Sequence, residues 1–350
     1  MPQAEVPARP RRELKLGEPA VFPVTTADGV ELRLTRHQGG TKGPALLAPG
    51  YGTTTQALAL DTVDVNFPEV LYANGYDVWL FDYRASPALP VSHTQFTVDD
   101  IAHEDWPAGV AKVREATGAD SVQVVAHCVG SLSFLLSQLD GLQGVRSAIC
   151  SQTALHPLAG TWVKTKSRLY LSDVLDHIGI HNLSTDFRTG KLADRLVEDI
   201  MKHFPSKEQC GSPVCHRVLF IYGDVYSHAQ LNELTHDTLH EMFGITNNRF
   251  FEHMTRILNS GQALDHEGHD RYLPQVANAA IPITLIHGSE NNFFLPEGTR
   301  LTYDFLREAN GAELYARHVI PGYAHMDCFI GKNADKDVFP ILLRELEKHN

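Results

Sequence analysis

Three short stretches hold residue types that can do covalent chemistry together. Ser121-Val-Gln-Val-Val-Ala-His-Cys-Val-Gly-Ser131 reads as a strand, a sharp turn and an apolar helix starting near Val129, with Cys128 on the turn. A thiol at a helix N-terminus meets the partial positive charge of unpaired N–H groups, which favours the reactive thiolate. Val319-Ile-Pro-Gly-Tyr-Ala-His325-Met-Asp327 puts a histidine on a loop after the last expected strand, where it can shuttle a proton. Gly288-Ser-Glu-Asn-Asn292 follows an earlier strand and offers Asn291, whose amide oxygen can accept the imidazole N–H and fix the ring. Glu290, ionisable and adjacent, competes for that place. A cysteine tolerates an uncharged orienting group better than a serine does, because a thiol can ionise before attack. The fourth part is the turn Pro49-Gly50-Tyr51-Gly52: backbone N–H groups of Tyr51 and Val129 are the expected donors to an oxyanion, about 3–4 kcal/mol each in well-studied hydrolases. Asp82 and Asp327 are read as loop-ordering groups.

These residues meet only if the intervening chain builds a sheet that brings its strand ends to one edge. From about residue 20, short β-rich runs alternate with helical stretches, the pattern of a mostly parallel sheet flanked by helices. Strands are expected at Val30 to Thr35, Pro44 to Ala48, Tyr76 to Phe81, Ser121 to Ala126, Arg146 to Cys150, Ile281 to His287 and Glu313 to Ile320. Helices are expected from Asp99-Asp100 to about Ala116, with Pro107 kinking the helix or displacing its start, and at Pro296 to Glu308 and Val338 to Lys348. Between residues 151 and 280 the strand rhythm gives way to helical periodicity rich in His, Leu, Asp and Asn. The expected organisation is a flexible segment 1–20, an α/β core made of 21–150 and 281–350, and a helical cap inserted at 151–280.

Composition excludes several classes. The 350 residues are 43% hydrophobic and 21% charged with a net charge of −12, and the one dense basic run, Arg9-Pro10-Arg11-Arg12, is too small a patch for a nucleic-acid partner. No apolar run reaches the roughly 18 residues that span a bilayer, so no integral membrane contact is expected. The first 20 residues lack the apolar stretch of a signal peptide, which points to the cytoplasm. The odd count of five cysteines, without a disulfide-framework spacing, agrees with a reducing compartment. Cys210 and Cys215, followed by His216, invite a metal reading. No second Cys or His pair stands at a known zinc interval, so they read as packed or loosely paired thiols, with no metal and no cofactor expected. His236 and His240 read as one polar helix face.

The chain from about residue 25 resembles the α/β-hydrolase superfamily, with Ala126 and Gly130 in the places of the two glycines of Gly-x-Ser-x-Gly around Cys128. Within that superfamily, Gly75-Tyr-Asp-Val-Trp-Leu-Phe-Asp-Tyr-Arg84, the Thr97 to Trp106 stretch and the His-x-Asp at His325 look like the acid-lipase group, whose cap contacts a lipid ester. The chain also resembles hydrolase-like domains attached to cholesterol-oxidase-type flavin oxidoreductases. The His-Cys-Val-Gly turn resembles polyhydroxyalkanoate synthases, which use Cys, His and Asp to pass acyl groups from coenzyme A thioesters. The sequence departs from the lipases at the nucleophile and at Asn291. The expected function is hydrolysis of a hydrophobic ester or thioester through an acyl-enzyme on Cys128. The alternatives are an acyltransferase that uses a thioester donor and, in a different class, a non-catalytic binding protein. Phe243, Phe250, Phe251 and Leu258 are expected to favour a hydrophobic acyl chain or a polycyclic substrate.

Overall fold

A computed structural model describes residues 10–160, 182–184, 208 and 210–350. Its centre is an eight-stranded sheet: β1 (Pro19–Thr25), β2 (Glu31–His37), β3 (Pro44–Ala48), β4 (Asp77–Asp82), β5 (Val122–His127), β6 (Val145–Ser151), β7 (Ile283–Gly288) and β8 (Tyr315–Ile320). The spatial order is β1-β2-β4-β3-β5-β6-β7-β8. β2 runs antiparallel to both neighbours, and every pairing from β4 to β8 is parallel. β3, β4 and β5 are buried at every residue, as parallel strands covered on both faces must be, which is why they read as short apolar runs.

The helices used below are α1 (Phe67–Ala73), α2 (Trp106–Thr117), α3 (Val129–Leu139), α4 (Pro213–Tyr222), α5 (Asn248–Ser260), α6 (Pro296–Asn310) and α7 (Phe339–Glu347). Two pairs flanking the sheet are held by aromatic contacts, Phe67 of α1 with Phe339 of α7 at 5.2 Å and Trp106 of α2 with Phe134 of α3 at 5.2 Å. Strand β1 was not expected: most of its residues are exposed on the sheet edge, so it lacks an apolar signature. Nor is the N-terminal segment loose once it is described. Arg12 forms a bidentate pair with buried Glu69 at 2.7 and 2.9 Å, tying the chain down before β1; residues 1–9 lie outside the described residues.

The helix expected from Asp99-Asp100 starts instead at Thr97, whose side chain caps a short turn in a capping box with Asp100. Asp99 is occupied elsewhere, accepting from the Tyr272 hydroxyl at 2.5 Å. A π-helical stretch, Ile101–Asp105, then leads into α2, and Pro107, which has no N–H to donate, is accommodated just after it rather than kinking a continuous helix.

Among the described residues between β6 and β7 lie α4, α5, shorter helical turns and one small ladder pairing Asn182–Ser184 with Ile245–Asn247. Residues 161–181, 185–207 and 209 of the expected cap lie outside the described residues.

Candidate active site

Cys128 ends β5 and opens α3 with φ 53° and ψ −119°, a conformation that costs a non-glycine residue about 1–3 kcal/mol and is kept where surrounding packing enforces it. Here the enforcement is visible. The Cys128 N–H is held by Ser151 O at 2.8 Å. A Cβ on Gly130 would lie 3.2 Å from Ala48 O and nearer still to Pro49 O, so α3 can approach the end of β3 only with glycine there. That approach brings the turn after β3 over the thiol, and the backbone N–H groups of Val129 and Tyr51 both act to lower the Cys128 thiol. The two donors singled out from sequence thus converge on the cysteine. Burial outweighs them and pushes the Cys128 thiol up to about 12, so at neutral pH the group is a thiol. The thiolate expected from the helix N-terminus is corrected on this point: a buried sulfur has too little solvation for two N–H dipoles to make good.

The loops after β7 and β8 are zipped together. Gly288 has no room for a side chain against the carbonyls of Tyr323 and Ala324. Ser289 N and Glu290 N donate to Ile320 O and Tyr323 O, both at 2.9 Å, and Gly322 N donates to Ser289 Oγ at 2.9 Å. Asp327 orders the second loop by accepting from Ala324 N at 2.9 Å. This zipper sets Asn291 against His325, 3.0 Å from amide nitrogen to ring Nδ1. Glu290 instead points out, exposed, and meets Ser289 Oγ at 3.2 Å.

The polarity of that contact runs opposite to expectation. Asn291 Oδ1 accepts the backbone N–H groups of Phe293 and Phe294, each at 3.0 Å. Backbone nitrogens can only donate, so the amide is fixed and its Nδ2 is the atom that faces His325. The same nitrogen donates to Gln152 Oε1 at 2.8 Å, itself oriented by the Gly288 N–H at 3.2 Å. His325 Nδ1 must therefore accept, which puts the ring proton on Nε2. Among the described residues no hydrogen bond joins His325 to Cys128. They are linked through Phe294, whose ring lies 5.9 Å from that of His325 and which lines the cavity at Cys128.

Three imidazoles cluster here. The His325 ring stands edge-on to that of His127 at 5.0 Å. Burial, reinforced by His127 and His287, holds His325 well below the usual histidine range. Burial likewise lowers His127 to about 3 and His287 to about 4. All are neutral in the resting site.

The cavity at Cys128 measures about 10 Å³ and is lined by Val129, Leu132, Thr153, Pro157, Met254 and Phe294 among others, room for about one water. Met254 belongs to α5, so the inserted stretch covers the sulfur. Its aromatics pack on the oxyanion turn rather than line a chain-sized groove: Phe250 stacks on Tyr51 at 3.5 Å, Phe251 meets Tyr51 edge-on, and Phe243 bridges to Thr53 and lies 5.4 Å from Tyr222. Leu258 is partly buried against the core. The buried Tyr222 hydroxyl has no hydrogen-bond partner among the described residues.

Sequence reasoning missed Gln152, which sits just past β6 at φ 58° and fixes the amide chain; nothing in a lone glutamine announces this. It also read Cys210 and Cys215 as merely packed thiols. The structure gathers both with His228 and His236, while His240 is exposed and turned to Asp237 O.

No family model matches the chain. It is similar to lipase lipl-1 of Caenorhabditis elegans, 24% identical with 95% of this chain and 90% of the relative covered. It is also similar to human lipase member K, 23% identical with 94% and 87% covered. Among solved structures, DcsB in complex with a substrate analogue superposes with a TM-score of 0.62 at 13% identity, covering 95% of this chain and all of the other. A monoacylglycerol lipase of Paleococcus ferrophilus gives 0.58 at 15% identity, with 92% and 100% covered. No helix of the described residues is long and apolar enough to cross a membrane.

Proposed function

The chain belongs to the α/β-hydrolase superfamily, and from that membership and the geometry of its strand ends we propose that it hydrolyses a hydrophobic ester or thioester through an acyl-enzyme on Cys128. The observation that supports this most is the strained turn at Cys128, with the backbone N–H groups of Val129 and Tyr51 near enough to act on its thiol. A fold that only binds has no use for a costly backbone conformation that presents a nucleophile beside two converging donors. Lipases among the relatives favour an ester of an apolar acyl chain, and the apolar wall of Val129, Leu132, Met254 and Phe294 agrees with such a chain.

In the proposed cycle the Cys128 sulfur attacks the carbonyl carbon and the Tyr51 and Val129 N–H groups hold the oxyanion. The thiol proton passes to His325 Nε2, which returns it to the leaving oxygen or sulfur, and water then releases the acid. His325 can accept at Nε2 only in the tautomer that Asn291 opposes, so acylation draws on a minor state of the ring. Asn291 is thus the residue that sets the rate. The stretch 151–280 serves as a cap, and α5 must shift for any acyl chain to enter a cavity of about 10 Å³.

Acyl transfer is a second reading, favoured by the same amide. Deacylation by water needs the base more than attack by a stronger nucleophile does, so a weak base lengthens the life of a thioester until an acceptor amine, alcohol or carbanion arrives. Intact-protein mass spectrometry after incubation with acyl thioesters and activated esters, comparing wild type with Cys128→Ser and Cys128→Ala, tests the whole scheme. An acyl adduct mapped to Cys128 is the expected result, and its decay in water or only with an added acceptor separates the two readings. No adduct and no turnover would leave a non-catalytic binding protein.

A further inference from the structure

Away from Cys128, four potential metal ligands converge. Cys210 and Cys215 flank the start of α4, His228 begins a short turn, and His236 lies in the helical turn Glu233–Asp237. Their ligand atoms all lie within 4.8 Å of one another. Cys210 Sγ is 3.4 Å from His236 Nε2, and Cys215 Sγ is 3.4 Å from His228 Nε2. A tetrahedral zinc ion with bonds of about 2.3 Å to sulfur and about 2.0–2.1 Å to nitrogen sets these atoms about 3.6 Å apart. These two sulfur–nitrogen pairs need only a few tenths of an ångström of adjustment, and the remaining pairs, all within 4.8 Å, would close by at most about 1–1.5 Å around the ion.

The surroundings are those that such ligands require. His228 Nδ1 meets Glu208 Oε2 at 2.7 Å, which leaves Nε2 as the free lone pair, the carboxylate–imidazole pairing that orients metal-bound histidines. His236 Nδ1 likewise faces Asp237 Oδ1 at 3.5 Å. Each sulfur receives a hydrogen bond fit for a thiolate: Ser212 N–H to Cys210 Sγ at 3.3 Å and Tyr226 O–H to Cys215 Sγ at 3.0 Å. Without a cation the arrangement leaves two sulfurs and two imidazoles pressed together with no charge to organise them. Two thiolates would balance a divalent ion.

We propose that Cys210, Cys215, His228 and His236 form a structural site for one zinc ion. The donor set of two thiolates and two imidazoles suits zinc over magnesium or calcium, and four protein ligands leave no open position for catalysis. The sequence order is Cys-x4-Cys-x12-His-x7-His; the last gap exceeds the usual three to five residues, which is why spacing alone did not reveal it.

The site would act as a staple. Its His228 lies in a segment bound to the loop of His325: Met326 N donates to Val225 O at 2.7 Å, Ser227 N donates to Asp327 at 3.2 Å, and Gln230 Nε2 donates to Gly322 O at 2.7 Å. Zinc would lock this segment to the N-terminus of α4 and so support the His325 loop from the side of the insertion.

The test is metal analysis of the full chain purified under reducing conditions, then of chelator-treated protein reloaded with zinc or cobalt. One zinc per chain is expected. Cobalt-loaded protein should show the ligand-field and thiolate charge-transfer bands of tetrahedral cobalt. Cys210→Ser and His236→Ala should lose the metal, whereas His240→Ala should keep it. Wild-type protein that stays substoichiometric after zinc loading and shows no cobalt bands would overturn the proposal, whatever the variants do. Cys210 and Cys215 recovered as a disulfide in such protein would point the same way.

Discussion

Replacing Asn291 by aspartate exchanges one amide nitrogen for an oxygen, and the structure gives a magnitude for the effect. In the wild type, freeing His325 Nε2 requires a proton on Nδ1, where it faces the Asn291 NH2 at 3.0 Å. Turning the amide over instead strands the N–H groups of Phe293 and Phe294. Each buried donor without an acceptor costs about 1–3 kcal/mol, so two cost about 2–6 kcal/mol, or about 30- to 10⁴-fold in the population of the competent tautomer. An aspartate keeps one oxygen on the two backbone donors and turns the other to accept from Nδ1. Part of the gain is offset, because Gln152 Oε1, 2.8 Å from the present nitrogen, would face a carboxylate at a further cost of about 1–3 kcal/mol. The net of about 1–3 kcal/mol means that Asn291→Asp should acylate Cys128 about 5- to 150-fold faster. The assay is single-turnover acylation by an activated ester, quenched in acid and read by intact mass. Asn291→Asp combined with His325→Ala should lose the gain. A folded Asn291→Asp protein that acylates no faster than wild type would refute the argument that the amide sets the tautomer.

With the Cys128 thiol pushed up to about 12, its alkylation by iodoacetamide should rise about tenfold per pH unit through the neutral and mildly alkaline range. The rate should be unchanged in His325→Ala, and a flat rate below neutrality would mark an ion pair instead. Met254→Ala widens the cavity over the sulfur and should speed alkylation by a bulky maleimide while costing about 2–5 kcal/mol of stability in denaturant titration; unchanged access would show that α5 does not gate the thiol. Gly130→Ala forces a methyl group against the carbonyls of Pro49 and Ala48 and should cost about 1–3 kcal/mol with loss of acylation, so near-neutral stability would contradict the close approach of α3 to β3.

What was legible in the sequence follows from what leaves a local mark. Strands buried on both faces spell themselves as apolar runs, and Pro44–Ala48 falls where expected, whereas β1, an exposed edge, does not announce itself. The turn at Cys128 was readable because small residues must flank a strained nucleophile. The place of Asn291 was readable from the loop after β7, but not its direction, which depends on two backbone N–H groups further along the loop and on Gln152 across the sheet edge. The cluster around Cys210 was unreadable for a similar reason, since its four members are joined by the path of the chain and not by a compact motif.

The groups gathered around Cys128 have one collective property. Among the described residues, a thiol, three neutral imidazoles, the amides of Asn291 and Gln152 and the phenols of Tyr51 and Tyr222 bring no formal charge to the chamber at neutral pH. A neutral ester entering such a space gives up little hydration, whereas the carboxylate that hydrolysis makes has no counter-ion among the described residues and little water there. Stranding a carboxylate in apolar surroundings costs several kcal/mol. Under the proposed reaction, the chamber would therefore bind its product far more weakly than its substrate, and the chemistry itself would drive turnover outward.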